Sequence, residues 1–533
     1  MDHRKDLSVD ELRAFHRVAI EADHLLEECL RDRLPLRAML GRFLPALGGW
    51  MGAKAARLTT QDEHLQHETF GWGESELLQH ASERTGDGVV KLPSGDTLVW
   101  QPLDLAGSEV GRIQVLIAGD RTGDTKILRV MLDAACEELD AVLAGVHAAA
   151  HKQRLIVAVN QALTNPVFEL GIDTAVALIH KEICVPEFTL LYRDAVDTQR
   201  FHYRVYAHGQ LCNDSERNPH PGIERGLKRH GTLLLDPDQQ LMRQTVGYAR
   251  GVDAVLISGM TRSEWLGKVL CTGGEHGFST FALDVVEVMC ESIGQRLVDF
   301  NRERRHLAQF FEAKVISELL RDPSYAERFL APREETIAVL YADINSFTKI
   351  SEQVLVDSSS IGRFVDRWSA GAVQLLWDHG GVFDKMVGDC IIGHFGPPFF
   401  REPPEQRALS AVKAARAISR FTAELEKEPL YEKVPQSGVV KGMGVAIGLN
   451  LCAMSVGLFG PNQDYTGFSS GMNSTARLQS LAGFRETLGM ESFCEALEKT
   501  GDNVLQELKF GDWTETPVKN VKKPLRYRMI HFS

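Results

Sequence analysis

The chain has 533 residues, 44% hydrophobic and 25% charged, with 59 Lys and Arg against 72 Asp and Glu and a formal charge of −13. That length sets a prior of about three or four domains, the composition is ordinary for a soluble globular protein, and the acidic balance argues against a nucleic-acid partner, which needs a basic face. No apolar run reaches the roughly 18 residues of a transmembrane segment, the charged opening "MDHRKDLSVDELRAFHRVAIEADHLLEE" has no signal-peptide core, and nine scattered cysteines without a CxxC pair read as core thiols of a reduced, cytoplasmic protein without structural zinc.

Residues 1–29 are predicted to form an N-terminal helix. Residues 30–147 open with helix-like "LRDRLPLRAMLGRFLPALGG", pass through strand-like "AARLTT", "DTLVWQPL" and "GSEVGRIQVLIAG", and close on "TKILRVMLDAACEELDAVLAGV", apolar at helical spacing. Residues 148–300 repeat this grammar: helices "KQRLIVAVNQALTN" and "FELGIDTAVALIHKEIC", then strands "FTLLYRD", "FHYRVYAHG", "GTLLLD", "DAVLISGM" and "WLGKVLCTGG", then a closing helix "FALDVVEVMCESIGQRLVDFNRE". The layout, with a Gly-led strand before a long exit helix, resembles tandem GAF domains of signalling proteins, and PAS domains are the nearest alternative. Residues 301–332 read as a helical connector. Leu297, Phe300, Leu307, Phe310, Phe311, Val315, Leu319 and Leu320 recur at three- and four-residue steps, which fits either a parallel coiled coil between two chains or packing on the chain's own domain. Pro332 marks a boundary.

In 333–533 the apolar run of "IAVLYADINSFTKISE" ends on Asp343, an acid that is costly to bury without a cation. Further on, "GGVFDKMVGDCIIGHFG" reads as two strands joined at "VGD", a hairpin that places Asp389 at a tight turn. Two such carboxylates can hold hard divalent cations, although Asp at a turn is also commonplace turn chemistry. In "DYTGFSSGMNSTARLQSLA", Asn473 and Arg477 stand four apart, on one face of a helix. The Arg is either a clamp for phosphate charge or a surface residue with a local hydrogen bond.

The blocks "ADINSFTKISE", "GGVFDKMVGDCIIGHFG", "DYT", "MNSTARL" and "VKNVKKPLRYRM", in this order, resemble the catalytic domain of class III nucleotidyl cyclases over about residues 334–530. The resemblance implies an α+β protein of α/β sandwich modules: two GAF-like domains, a coiled-coil linker and a cyclase domain of ferredoxin-like type. It implies metal ligation by Asp343, Asp389 and the carbonyl of Ile344, with two Mg²⁺ or Mn²⁺ ions per site. The helix opened by Phe347 and Thr348 would offer N–H groups to phosphate. Asn473 would orient the ribose region and Arg477 stabilise charge at the α-phosphate. Lys385 and Thr466 align with the family's base selectors, and a Lys meets the N1 acceptor of adenine but not the N1–H of guanine. The implied reaction is that of a lyase, ATP to 3′,5′-cyclic AMP and pyrophosphate, in a homodimer paired through the catalytic domain and linker helix. Lys519 is a further candidate for the triphosphate. A guanylate cyclase and a non-catalytic scaffold are the alternatives.

Two positions depart from the family pattern, Cys452 and Ser469, where Gly is usual and its loss would alter a loop. The GAF-like domains imply an unknown small-molecule effector. Phe278 and Asp284 echo the cyclic-nucleotide-binding pattern, while its Asn-Lys and final Glu are missing. Cys212 lacks the His that follows a bilin-attachment cysteine. The histidines at 202, 208, 220 and 230 are either haem or metal ligands or, more plainly, scattered surface residues.

Overall fold

The computed structural model describes residues 7–61, 66–74, 78, 86–105, 108–119, 124–236, 240–248, 251–257, 265–500, 508–518 and 524–532. The chain divides into two compact units, one of Met1–Gln161, Ala175–Pro186 and Thr272–Cys290, the other of Ala162–Thr174, Glu187–Cys271 and Glu291–Ser533. Among the described residues no helix is long and apolar enough to cross a membrane.

In the first unit, α1 (Val9–Arg31) starts at a capping box: the Glu11 N–H donates to the Ser8 hydroxyl and the Ser8 N–H to the Glu11 carboxylate. Phe15, Val18, Ala22, Leu26 and Cys29 form its buried stripe. α2 (Leu36–Met51) ends at Gly52, whose φ of 63° suits a residue without Cβ. Strands β1 (Ala53–Gln61), β2 (His67–Gly73), β3 (Gly88–Lys91), β4 (Thr97–Leu105) and β5 (Ser108–Ile117) form a sheet in the order β2-β1-β5-β4-β3. α3 (Thr125–Leu163) brings Leu128, Leu132, Ala135, Leu139 and Leu143 to the core of α1, α2 and this sheet.

The second sheet, in the other unit, has β6 (Glu187–Arg193), β7 (Phe201–Ala207), β8 (Gln210–Asp214), β9 (Val252–Ile257) and β10 (Trp265–Thr272) in the order β8-β7-β6-β10-β9. As in the first sheet, the first and last strands of the module are neighbours. α4 (Phe168–Ile183) precedes β6, and α5 (Pro221–His230) and α6 (Leu241–Val246) lie between β8 and β9. The segment "GTLLLD", expected as a strand, is a 3₁₀ helix over Gly231–Leu235. Its Leu234 and Leu235 belong to one cluster with Leu191, Tyr203, Ile223 and Met242. A short apolar run carries no periodicity to separate the two states.

α7 (Thr280–Leu307) leads into the connector, which is not one continuous helix. It breaks after Leu307, resumes as α8 (Ala313–Leu319) and makes a single π turn at Ala326–Leu330. Leu297, Phe300, Leu307, Phe310, Phe311, Leu319 and Leu320 are buried within the chain, so packing on its own chain accounts for most of the stripe.

The C-terminal region is built on β11 (Arg333–Ile344), flanked by β13 (Cys390–Phe395) and the long β14 (Val445–Phe459), both antiparallel to it. β12 (Gly381–Val387), β15 (Asp464–Phe468), β16 (Thr487–Met490), β17 (Leu508–Phe510), β18 (Thr514–Thr516) and β19 (Leu525–Phe532) complete a sheet in the order β12-β13-β11-β14-β16-β19-β17, with β15 on β14 and β18 on β19. Helices α9 (Phe347–Ile350), α10 (Ser358–Asp378), α11 (Pro404–Glu424), α12 (Lys433–Gln436), α13 (Ser470–Leu481) and α14 (Glu491–Lys499) are interleaved with these strands. α10 buries Phe364, Trp368, Ala372 and Leu376, a strict four-residue step. The Trp368 indole N–H donates to Thr422 Oγ1 of α11 at 3.0 Å, so the largest side chain of this core leaves no polar atom unmet.

Candidate active site

β11 is central and its residues Ile337–Leu340, Ala342 and Ile344 are at most 1% exposed. The strand therefore fixes Asp343 at its C-terminal end, in register with Cys390 of β13 and Ala446 of β14. The β12–β13 hairpin pairs Val387 with Cys390, leaving Gly388 and Asp389 as a two-residue turn, with Gly388 at φ 63°. Asp343 and Asp389 meet and share a hydrogen bond. Asp389 also accepts the Ile344 backbone N–H, and Asp343 a bond from the Gln479 side chain. Burial first, and then the negative charge of Asp389, push Asp343 up to about 6; burial raises Asp389 as well. Two half-buried carboxylates at one point disfavour each other's ionisation, a cost that a bound cation would relieve.

The donor chemistry fits a hard divalent ion, which takes oxygen ligands. The neighbouring Cys390 thiol is pushed up to about 12 by burial and then by the two acids. Among the described residues no group of three or more His, Cys, Asp or Glu side chains could hold a metal, so further ligands would come from backbone or substrate, as expected for the Ile344 carbonyl.

After Ile344 the chain turns through Ser346, at φ 59°, into α9. Asn345 holds this turn, its Oδ1 accepting the Arg485 N–H at 3.0 Å. No side chain caps α9. The Phe347 ring packs beside Phe364 in the core, so only its backbone faces the role expected of it, while Thr348 is exposed.

Lys385 and Thr466 are brought together from β12 and β15, with Lys385 Nζ donating to Thr466 Oγ1 at 2.9 Å. Thr466 is buried, the Lys385 side chain is 43% exposed, and its ammonium lies 5.9 Å from the Phe468 ring. Asn473 and Arg477 share a face of α13, Asn473 exposed and Arg477 half-buried. Gln479, later on the same helix, is the residue that reaches Asp343. Lys519 lies outside the described residues.

At Ser469 the backbone makes no demand for glycine. Ser469 sits at φ −162°, ordinary extended backbone, and its hydroxyl caps α13 by accepting the Met472 N–H at 3.1 Å. Cys452 Sγ lies 3.7 Å from that hydroxyl.

The connector touches both β12 and β15. The Phe310 carbonyl accepts the Phe383 N–H of β12 and the Trp377 indole N–H, each at 3.0 Å. The Phe311 ring lies 4.9 Å from Tyr465 of β15, and His306 Nε2 lies 3.1 Å from the Gln463 carbonyl. Two residues before His306, Arg304 donates to buried Asp194 at 3.0 Å, and His202 Nε2 lies 2.7 Å from the same carboxylate. His202 is thus buried, not a surface histidine, and His220 caps α5 by accepting the Ile223 N–H. Asp284 is paired with Lys152. Beside His202 lies a cavity of about 270 Å³, lined by Tyr192, His202, Arg204, Glu216 and the connector's Arg321 among others.

Neither Gln479 nor the contacts of Phe310 and Phe311 were singled out in the sequence. The signal for Gln479 was its place two residues after Arg477 on the same predicted helix.

No family model matches the chain. It is 26% identical over 149 residues to the terminal-differentiation specific adenylate cyclase of Dictyostelium discoideum, a match covering 28% of this chain and 6% of that protein. It is 28% identical over 188 residues to an uncharacterized protein of Mycobacterium tuberculosis, covering 35% of this chain and 32% of that one. The chain thus spans a third or less of the length of these relatives. Structural neighbours are adenylyl and guanylyl cyclases alike. The adenylyl cyclase CyaB from P. aeruginosa is 21% identical, with 38% of this chain and 97% of that chain covered and a TM-score of 0.33. The guanylyl cyclase Cya2 is 22% identical, with 38% and 93% covered and a TM-score of 0.32.

Proposed function

We propose that the chain is a class III nucleotidyl cyclase that converts ATP to 3′,5′-cyclic AMP and pyrophosphate. The observation that carries this reading is the meeting of Asp343 and Asp389, two half-buried acids at the end of a buried strand that raise the cost of each other's charge. Asp343, Asp389 and the Ile344 carbonyl would hold two Mg²⁺ or Mn²⁺ ions, which supply charge neutralisation at the triphosphate and favour the 3′-alkoxide. The substrate carries its own nucleophile: the 3′-oxygen bonds to the α-phosphorus as the bond to pyrophosphate breaks, and the hydroxyl proton is lost. What remains for the protein is positioning and electrostatics. Lys385 and Thr466 take the adenine edge, Asn473 the ribose region and Arg477 the α-phosphate.

Metal and base residues serve opposite sides of one nucleotide, and in cyclases of this class two chains share each site. We therefore assign this chain to a homodimer, in which each protomer lends its metal pair to one site and its base pair to the other. Regulation enters from the GAF-like modules, with an effector in the cavity beside His202. The connector's hold on Phe383 and Tyr465 supports transmission from there to the base-selecting strands.

The test is product analysis of the full chain with ATP, GTP and either Mg²⁺ or Mn²⁺. Cyclic AMP, formed in preference to cyclic GMP when both nucleotides compete, is expected. Cyclic GMP instead would make it a guanylate cyclase, and nucleotide binding without product a scaffold.

A further inference from the structure

Behind Lys385 lies a group that the mechanism above does not use. In β12 the register runs from Phe383 opposite Gly393 directly to Lys385 opposite Ile392, so Asp384 is the extra residue of a β-bulge. Such a bulge re-aims side chains, and here Asp384 points into the protein with its side chain 0% exposed. His394 of β13 is equally buried, its Nε2 3.8 Å from Asp384 Oδ2. Neither carboxylate oxygen and neither ring nitrogen has a hydrogen-bond partner. Burial lowers the His394 pKa, which favours a neutral ring. A desolvated carboxylate with no hydrogen bond is expensive to keep, and its other ion-pair partner is Lys385, at 3.7 Å.

The geometry points to Asp384 and His394 as positioning residues that hold Lys385 and Thr466 at the base edge and so set adenine against guanine. This rests on the reading of Lys385 as the base selector. The Lys385 ammonium has three protons: one goes to Thr466 Oγ1 at 2.9 Å, and one faces Asp384. The third is left for the solvent side, where the base would enter. Asp384 thus fixes the direction of that donor. His394 also lies near the other strand, together with Met454: a Cβ added at Gly467, next to Thr466, would meet Met454 Cε most closely and stand 3.2 Å from His394 Cε1. The acid therefore acts on Lys385 directly, and the ring acts through the acid it packs against and through its place beside β15.

The test compares the parent with Asp384→Asn, His394→Phe and His394→Gln, in which the Gln amide keeps a polar group beside Asp384. Fluorescent ATP and GTP analogues report binding, and product formation reports KM and kcat. Asp384→Asn and His394→Phe are expected to lose about tenfold of the preference for ATP over GTP, which corresponds to about 1.4 kcal/mol of differential binding. The loss should fall on KM and on binding, with kcat and melting temperature near the parent's, and His394→Gln should keep the parent's preference. Preference unchanged in Asp384→Asn, a loss confined to kcat, or His394→Phe behaving like the parent would overturn the inference. If Asp384→Asn does not fold, the two His394 variants decide alone. A parent that binds both nucleotides equally overturns it outright. A parent that prefers ATP but forms no cyclic product would refute the cyclase reading and leave the positioning role to be judged by binding.

Discussion

Asp384 and Asp389 stand five residues apart on one hairpin and live in opposite circumstances. Asp389 occupies the turn, half-buried, against a second carboxylate whose pKa it helps to raise to about 6. Asp384 occupies a bulge, fully buried, against a neutral ring and a lysine. Repulsion in the first case would be relieved by a cation from solution. Desolvation in the second has to be offset by a charge the protein already owns. The same residue type thus serves as a vacancy for ligand at one end of the hairpin and as a brace at the other.

The largest effect that would break this contrast is at the turn. Asp389→Ala or Asp343→Ala should cut cyclic AMP synthesis by a hundredfold or more, roughly the scale of lost charge stabilisation at a reacting centre. The fold should survive, as judged by circular dichroism. Mn²⁺ should raise the melting temperature of the parent and of Asp384→Asn, because it binds the folded state, but not that of Asp389→Ala. A metal-induced shift in Asp389→Ala would mean that the acids are no cation site.

A smaller effect is expected at the brace. Lys385→Glu combined with Thr466→Cys should weaken ATP use about tenfold to a hundredfold and admit GTP, because donor and acceptor at the base edge both change. Steady-state kinetics with both nucleotides check this, and a parent that already prefers GTP would show the Lys385 assignment to be wrong.

Weaker again is the connector. Two residues inserted into α7 ahead of Arg304 turn the following helix by about 200° and should shift basal activity several-fold. Unchanged activity and unchanged response to any effector would rule out this route.

The smallest effect concerns stability. Burial raises the Asp194 pKa, but hydrogen bonds from His202, Val196 and Asp197 and the charge of Arg304 outweigh it and hold the group below its ordinary value of 3.8. A carboxylate depressed on folding stabilises above its unfolded pKa and loses that contribution as pH falls through the folded one. Asp194→Asn should lower the melting temperature at neutral pH and flatten its decline below about pH 4. An unaltered acid limb would place the stabilisation elsewhere.

Much of this was legible in the sequence because it rests on local pattern. The apolar run to Asp343 and the "VGD" turn place two acids at strand ends, and the four-residue step of Asn473 and Arg477 puts both on one helix face. The brace was not legible. In "GVFDKM" an acid beside a lysine reads as ordinary strand alternation, and only a register shift against β13 turns Asp384 inward. The connector misled for a related reason: its stripe is real, but the helix break after Leu307 sends Phe310 and Phe311 to the chain's own strands. "GTLLLD" and His202 were decided by what packs over them, which no short window contains.

The most direct measurement is complementation between half-sites. Asp343→Ala lacks a metal ligand and Arg477→Ala lacks the phosphate clamp, so each alone should be inactive. In a mixed dimer one site receives intact acids from the second chain and intact Arg477 from the first, while the other carries both lesions. Co-expression should restore cyclic AMP synthesis, up to half the parent rate per mixed dimer if the two sites act independently. Mixed dimers that form but stay inactive, or full activity from an isolated monomer, would contradict a site shared between two chains.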